Sequence, residues 1–378
     1  MQFALIVFSH LRWDFVFQRP QHLLSRLASR HPVVYIEEPL PADSDRDSWE
    51  LSRPMDNVLV ARPRLANLSS RTEAETTQTL FTMVQELVAS QEIAQPVAWM
   101  YTPMAEPLID AVEPALIVYD CMDELSLFLG APRALLDREA ALIERADLVF
   151  TGGVSLYEAK RHRHPQVSCF PSSVDAAHFA QARPGSHSLA EPPDQASLPR
   201  PRLGYFGVVD ERIDLPILDA LGAANREWQI VVVGPTVKIN PATLPRHPNI
   251  RYTGQRGYQD LPAYLSGWDV CLLPFARNDA TRFISPTKTL EYMAAERPIV
   301  STPIADVVNS YAHIVYLADS PSTFVAACER ALSATPAERE RRAADMRKVV
   351  AGTSWDRTAA RMEQLIEHAL AGRLAPQP

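Results

Sequence analysis

Short apolar runs alternate with amphipathic stretches along most of the chain, a pattern that predicts βαβ units and parallel sheets. In the first half the runs predict strands over Phe3–Phe8, Val33–Glu37, Asn57–Ala61, Val97–Tyr101, Leu116–Tyr119, Asp147–Thr151 and Val167–Phe170, with helices such as Gln21–Ser29 and Pro132–Arg145 between them. In the second half they predict Leu203–Val208, Gln229–Gly234, Ile250–Thr253, Val270–Leu273, Ile299–Ser301 and Ile314–Leu317. Gln181–Arg200 has four prolines (184, 192, 193 and 199) and only Leu189 and Leu198 as large apolar residues, so it reads as a linker. After a helical stretch over Pro336–Val350, Trp355, Ala359, Met362, Leu365 and Ile366 form one apolar face that must dock on something. The expected organisation is an N-terminal α/β domain over 1–180, a linker over 181–200, a second α/β domain over 201–352, and a final segment over 353–378 whose helix packs back on the first domain. Open α/β sheets bind ligands beyond the carboxyl ends of their strands, so two facing sheets would place the site in the cleft between them.

With 378 residues the chain can hold two cores. A net charge of −8 argues against a nucleic-acid partner. Met1–Ser9 is apolar but has neither a basic leader nor a small-residue cleavage site, so it reads as a first strand. No run reaches the roughly 18 apolar residues of a membrane span. The expected location is the cytoplasm. The basic run Lys160-Arg-His-Arg-His164 is either a solvated helix end or a peripheral contact with anionic lipid. Cys121, Cys169, Cys271 and Cys328 are scattered, without the spacing of zinc ligands, and read as buried thiols.

The stretch from Thr281 to Thr302 carries the most chemistry. Ser285 suits an N-cap and Pro286 the first helical position. The N–H groups of that turn, near Thr287 and Lys288, would then form an anion site reinforced by the helix dipole and the lysine charge. Glu291, three residues on, shares a helix face with Lys288 and suits the two hydroxyls of a ribose. The bland alternative is a surface helix with a Lys288–Glu291 ion pair.

Leu290-Glu-Tyr-Met-Ala-Ala295 and Pro298-Ile-Val300 resemble the ribose-binding helix and following strand of the retaining GT-B glycosyltransferases. That resemblance implies two Rossmann-like domains facing across a cleft and a nucleotide-diphosphate sugar, UDP- or GDP-linked, as donor. The family pattern has an earlier glutamate where this chain has Phe283. The Ser285-Pro-Thr-Lys288 variant is similar to exopolysaccharide and teichuronic-acid-type enzymes, in which the lysine reaches the diphosphate. The same resemblance implies Gly207 and Arg212 at the donor phosphates. It puts Gly234, Gln255 and Arg256 around the nucleobase, and Asn278, Thr281 and Arg282 near the transferred sugar. The dinucleotide signature GxGxxG is absent, and Gly204 with Gly207 reads equally as a strand-end turn.

On the acceptor side, the loop from Ser9 to His22 offers Trp13 for stacking on a sugar and Arg19 for a phosphate, the domain interface or an internal salt bridge. An inverting transfer needs a general base. Asp120 is the first candidate, followed by Asp123, Asp14 and His10, while Asp123 suits a helix cap as well. Thr151-Gly-Gly-Val-Ser155 is a further strand-end turn, either near the donor or a plain helix start. No cofactor and no metal are expected. The implied acceptor is a cell-envelope glycan or lipid-linked intermediate. An epimerase on the same scaffold and a non-catalytic partner subunit are the alternatives.

Overall fold

The computed structural model describes residues 3–91, 93, 95–186 and 189–374. Residues 187 and 188 of the expected linker and 375–378 of the expected tail lie outside that set. The chain divides into two compact units, one of Met1–Ser126, Gly130–Pro171 and Asp356–Pro378, the other of Leu127–Leu129 and Ser172–Trp355.

The first unit is built on β1 (Ala4–Ser9), β2 (Val33–Glu37), β3 (Leu40–Pro41), β4 (Ser48–Met55), β5 (Val58–Leu65), β6 (Pro96–Met100), β7 (Leu116–Cys121), β8 (Leu148–Thr151) and β9 (Val167–Cys169). Their order is β3-β5-β2-β1-β6-β7-β8-β9, all parallel, with β4 antiparallel on β5. All six residues of β1 are buried, as expected of a strand covered on both faces. β4 lacks an apolar run and its side chains are mostly exposed, so periodicity does not reveal it. Its antiparallel ladder to β5 holds it, and Glu50 receives Arg62 at 2.9 Å and Arg64 at 2.5 Å across that ladder.

The helix Trp355–Leu374 belongs to the first unit from Asp356 onward. Ala359, Met362, Ile366 and Leu370 form its buried stripe. Ion pairs flank that stripe, from Arg26 to Asp356 (2.6 Å), from Arg30 to Glu363 (3.0 Å) and from Arg373 to Asp147. His31 is stacked on Phe3 and meets Glu363 at 2.5 Å.

The basic run at 160–164, read either as a solvated helix end or as a lipid contact, has its cations paired with carboxylates of the same unit. Lys160 is buried against Glu124 (2.5 Å) and Glu139 (2.6 Å), Arg163 meets Glu139 (2.7 Å), and Arg161 meets Glu158 (3.0 Å). Glu124 and Glu139, distant in sequence, and Glu158, one helical turn back, neutralise these cations.

The second unit is a six-stranded parallel sheet of β10 (Arg202–Phe206), β11 (Gln229–Val233), β12 (Ile250–Gly254), β13 (Val270–Leu273), β14 (Ile299–Ser301) and β15 (Tyr316–Leu317), in the order β12-β11-β10-β13-β14-β15. Phe206, Trp268 and Tyr292 form its aromatic centre. Gly204 serves that centre, because a Cβ there would fall 1.9 Å from the Trp268 ring.

The proline-rich segment is not a loose tether, and the unit begins at Ser172, ahead of the expected linker. Phe179 is buried in the core. Gln195, in the Pro193–Ala196 turn of helix, is fully buried, donating to the Tyr264 carbonyl at 2.9 Å and accepting from Trp268 Nε1 at 2.8 Å. A buried amide satisfied on both sides does the work that apolar residues were expected to do.

Candidate functional site

At the carboxyl ends of β10, β11 and β12, three turns stack. Gly207 N–H donates to the Val233 carbonyl at 2.8 Å, and Gly234 N–H to the Gly254 carbonyl at 2.9 Å. Gly207 has φ +136° and Gly234 φ +146°, a region glycine tolerates and other residues rarely adopt. A Cβ on Gly234 would lie 2.0 Å from the Gly207 carbonyl oxygen, and one on Gly207 would lie 2.1 Å from Lys288 Cε. The lysine therefore reaches from its helix into the turn after β10, with Nζ 5.9 Å from the Tyr205 ring centre.

The helix that carries Lys288 runs Thr287–Ala294, with Pro286 as its N-cap. It starts one residue later than expected, and Ser285 does not cap it. The residue before a proline avoids helical dihedrals, and the Ser285 carbonyl is taken by Ser172 Oγ at 2.8 Å. Ser172 Oγ also accepts from Thr287 Oγ1 at 3.0 Å, so it binds both sides of the proline. Sequence reading did not single out Ser172, whose role exists only through this contact. The first N–H groups of the helix, Thr287 and Lys288 among them, have no intrahelical acceptor by geometry.

Glu291 follows on the same helix and is buried. Burial pushes its carboxyl up to about 7, with the Lys288 charge pulling the other way. A buried acid raised by desolvation beside one specific cation is a mark of functional sites.

Other expected donor residues are committed to the fold. Asn278 and Thr281 close their own turn through reciprocal bonds of 3.2 and 3.1 Å, Asn278 Nδ2 donates to the Glu211 carbonyl at 2.8 Å, and Thr281 Oγ1 donates to the Ala276 carbonyl at 2.5 Å. They shape the loop. Arg282 is exposed, its guanidinium 5.1 Å from the Phe283 ring centre. Arg212 is braced by Asp210 at 2.6 Å. Arg256, expected near the nucleobase, pairs with Asp194 and with the Tyr264 hydroxyl, both at 2.8 Å, while Gln255 beside it is exposed.

In the first unit the acceptor loop is anchored by a residue the sequence did not point out. Glu37, with a fully buried side chain, accepts from the Trp13 N–H at 2.8 Å, from Arg12 at 3.1 Å and from Arg62 at 2.5 Å. Trp13 is half-buried and edge-on to Tyr35 at 5.1 Å. Asp14 is exposed and meets Arg62 at 3.3 Å. His10 and Asp123 are half-buried. Gly152, in the Thr151–Ser155 turn, lies where a Cβ would meet the Met122 carbonyl at 2.6 Å, so close packing accounts for it.

Asp120, the first candidate for a general base, lies in a buried ion pair. Both its oxygens receive Arg19, at 2.8 Å from Nη2 and 3.2 and 3.1 Å from Nε, and Arg19 Nη1 reaches the Phe170 carbonyl at 2.8 Å. Asp120 is fully buried and Arg19 nearly so. A carboxylate bound on both oxygens and sealed from solvent is committed to this pair. Of the readings open for Arg19, the structure shows the internal salt bridge: burial opposes its charge, and Asp120 more than restores it.

Residues 200–334 match the family model described as Glycosyl transferases group 1, which covers β10, the Lys288 helix and Glu291. A protein of Bacillus subtilis (strain 168), provisionally named as the teichuronic acid biosynthesis glycosyltransferase TuaH, is 23% identical over 259 residues. The match covers 63% of this chain and 63% of that relative. Among solved structures, sucrose-phosphate synthase from Thermosynechococcus elongatus superposes with a TM-score of 0.74 at 16% identity, over 98% of this chain and 99% of that one. The E. coli trehalose-6-phosphate protein bound with UDP-2-fluoro glucose does so with a TM-score of 0.70 at 13% identity, over 97% and 99%. Residues 200–334 thus form a domain similar to the group 1 glycosyl transferases, and the two Rossmann-like units with parallel sheets share the GT-B fold of these solved structures.

Proposed function

We propose that the protein transfers a sugar from a nucleotide-diphosphate donor, a UDP-sugar before a GDP-sugar, to a cell-envelope glycan or a lipid-linked acceptor. One observation carries the donor half: Lys288 lies in the Gly207 turn at the head of a helix whose next turn buries Glu291. A diphosphate at that helix start meets N–H dipoles and an ammonium, and a ribose one turn along meets a carboxylate. In the transfer, the bond from the sugar's anomeric carbon to the diphosphate oxygen breaks, that oxygen keeps the electron pair, the acceptor oxygen bonds to the carbon, and the acceptor's hydroxyl proton passes to water or to the departing diphosphate. Lys288 would stabilise the departing diphosphate, whose charge grows as the bond breaks.

The fold of the UDP-2-fluoro glucose complex supports a UDP-sugar, and the name of the B. subtilis relative supports an envelope acceptor. The loop anchored by Glu37, with Trp13 and Asp14, is the acceptor-side element in this reading. Among the described residues no helix is long and apolar enough to cross a membrane.

The test is incubation with UDP- and GDP-sugars and envelope acceptors, reading nucleotide release and product mass. Acceptor-dependent release of UDP or GDP is expected. Interconversion of donor sugars without transfer would instead identify an epimerase, and no turnover of any donor would count against an enzyme.

A further inference from the structure

The turn after β10 holds a second group, which neither packing nor pairing explains. Both carboxylate oxygens of Glu211 are shielded from solvent and have no hydrogen-bond partner among the described residues. Its neighbours are engaged elsewhere: Asp210 takes Arg212 through bonds of 2.9, 3.1 and 2.6 Å, and Asn278 bonds the Glu211 carbonyl, not its side chain. A carboxylate withdrawn from water without a donor destabilises the fold, and such groups are rare in proteins. Retaining one calls for a compensating role, and the place of this one is informative. Glu211 is four residues past Gly207, the turn into which Lys288 reaches, and its backbone is tied to the Asn278 loop that leads to the Lys288 helix.

We propose that Glu211 is a specificity-determining residue that accepts hydrogen bonds from hydroxyls of the donor's sugar. The proposal rests on the nucleotide-sugar reading above and adds which side chain reads the sugar. Two adjacent hydroxyls of a hexose present paired donors that a carboxylate accepts together, which satisfies the orphaned oxygens. A metal ion is a poorer occupant, since among the described residues no group of three or more His, Cys, Asp or Glu surrounds such a position. A sugar that makes these bonds is favoured over one lacking them, because a buried acceptor left unpaired penalises the wrong ligand.

The experiment compares wild type with Glu211→Gln and Glu211→Ala by calorimetry against UDP, GDP, UDP-glucose, UDP-galactose and UDP-N-acetylglucosamine, with thermal melts alongside. Both variants should bind the free nucleotide within about twofold of wild type. Their affinity for the preferred nucleotide-sugar should fall about tenfold, the worth of one hydrogen bond to a charged group. The melting temperature should rise by a few degrees, since a carboxylate without a partner is removed. An unchanged ratio of sugar-nucleotide to nucleotide affinity would overturn the proposal, as would a melting temperature that drops in both variants. A wild type that binds none of the five ligands would overturn the nucleotide-sugar reading itself, a separate outcome.

Discussion

Lys288 Cε occupies the space that a side chain on Gly207 would fill, 2.1 Å from where its Cβ would stand. The glycine is thus required twice, by its backbone angle of +136° and by the lysine it admits. Gly207→Ala should expel the lysine and weaken UDP-sugar binding about tenfold or more. Lys288→Ala should weaken it ten- to a hundredfold, as a charge-assisted contact of about 1.5 to 3 kcal/mol is lost. The double variant should be little worse than the poorer single one, since both remove the same contact. Calorimetry on the four proteins reads the cycle, and additive losses would separate the two residues.

Glu291 predicts a pH dependence of binding. Its carboxyl, lifted to about 7 by burial against the pull of Lys288, is mostly protonated at pH 6 and ionised at pH 8. If ribose hydroxyls bind the ionised form, UDP-glucose affinity should rise about tenfold over that range. Glu291→Gln should flatten the rise and discriminate less between ribo- and 2′-deoxynucleotides. Titration calorimetry at several pH values tests both, and an unaltered slope in the variant would remove Glu291 from the site.

The same group sets a stability trend. The folded chain keeps a proton that the unfolded chain releases above the ordinary value of 4.5, so stability should fall as pH rises from that value through about 7. The full effect of this one group approaches about 3 kcal/mol. Urea denaturation of wild type and Glu291→Gln at pH 5 and pH 8 should show the variant gaining relative stability at the higher pH. No relative gain would mean the acid is not raised.

Asp120→Asn should act on the fold. Breaking its buried pair leaves Arg19 without its counter-ion and should cost about 3 to 5 kcal/mol, whereas replacing both partners with apolar residues of similar volume should cost much less. Chemical denaturation measures this. Full stability with turnover down about a hundredfold would restore Asp120 as a base.

Gly204→Ala should drive a methyl group into the Trp268 ring. Overpacking of this kind costs typically about 1 to 3 kcal/mol. The melting temperature should drop, and UDP affinity measured well below it should hold.

What the sequence determined by itself is local. Apolar runs a few residues long specified nearly all the parallel strands, because a strand covered on both faces needs no partner information to be recognised. The start of the Lys288 helix was legible to within one residue from Ser285-Pro286, and the spacing of Lys288 to Glu291 fixed their shared face. Strand β4 was not legible, because its residues are mostly exposed and polar and it pairs only along one edge, with β5. Nor was the fate of Asp120: its partner Arg19 stands 101 residues away, and only the folded sheet brings a strand-end acid against a helix-start cation. Burial likewise arises from distant contacts. Tertiary structure alone lifted Glu291 toward neutrality, sealed Gln195 into a segment that composition marked as a linker, and left the oxygens of Glu211 shielded without a hydrogen-bond partner among the described residues. Periodicity reports which face of an element is apolar, whereas the state of a charged side chain depends on groups that meet it only when the chain closes on itself.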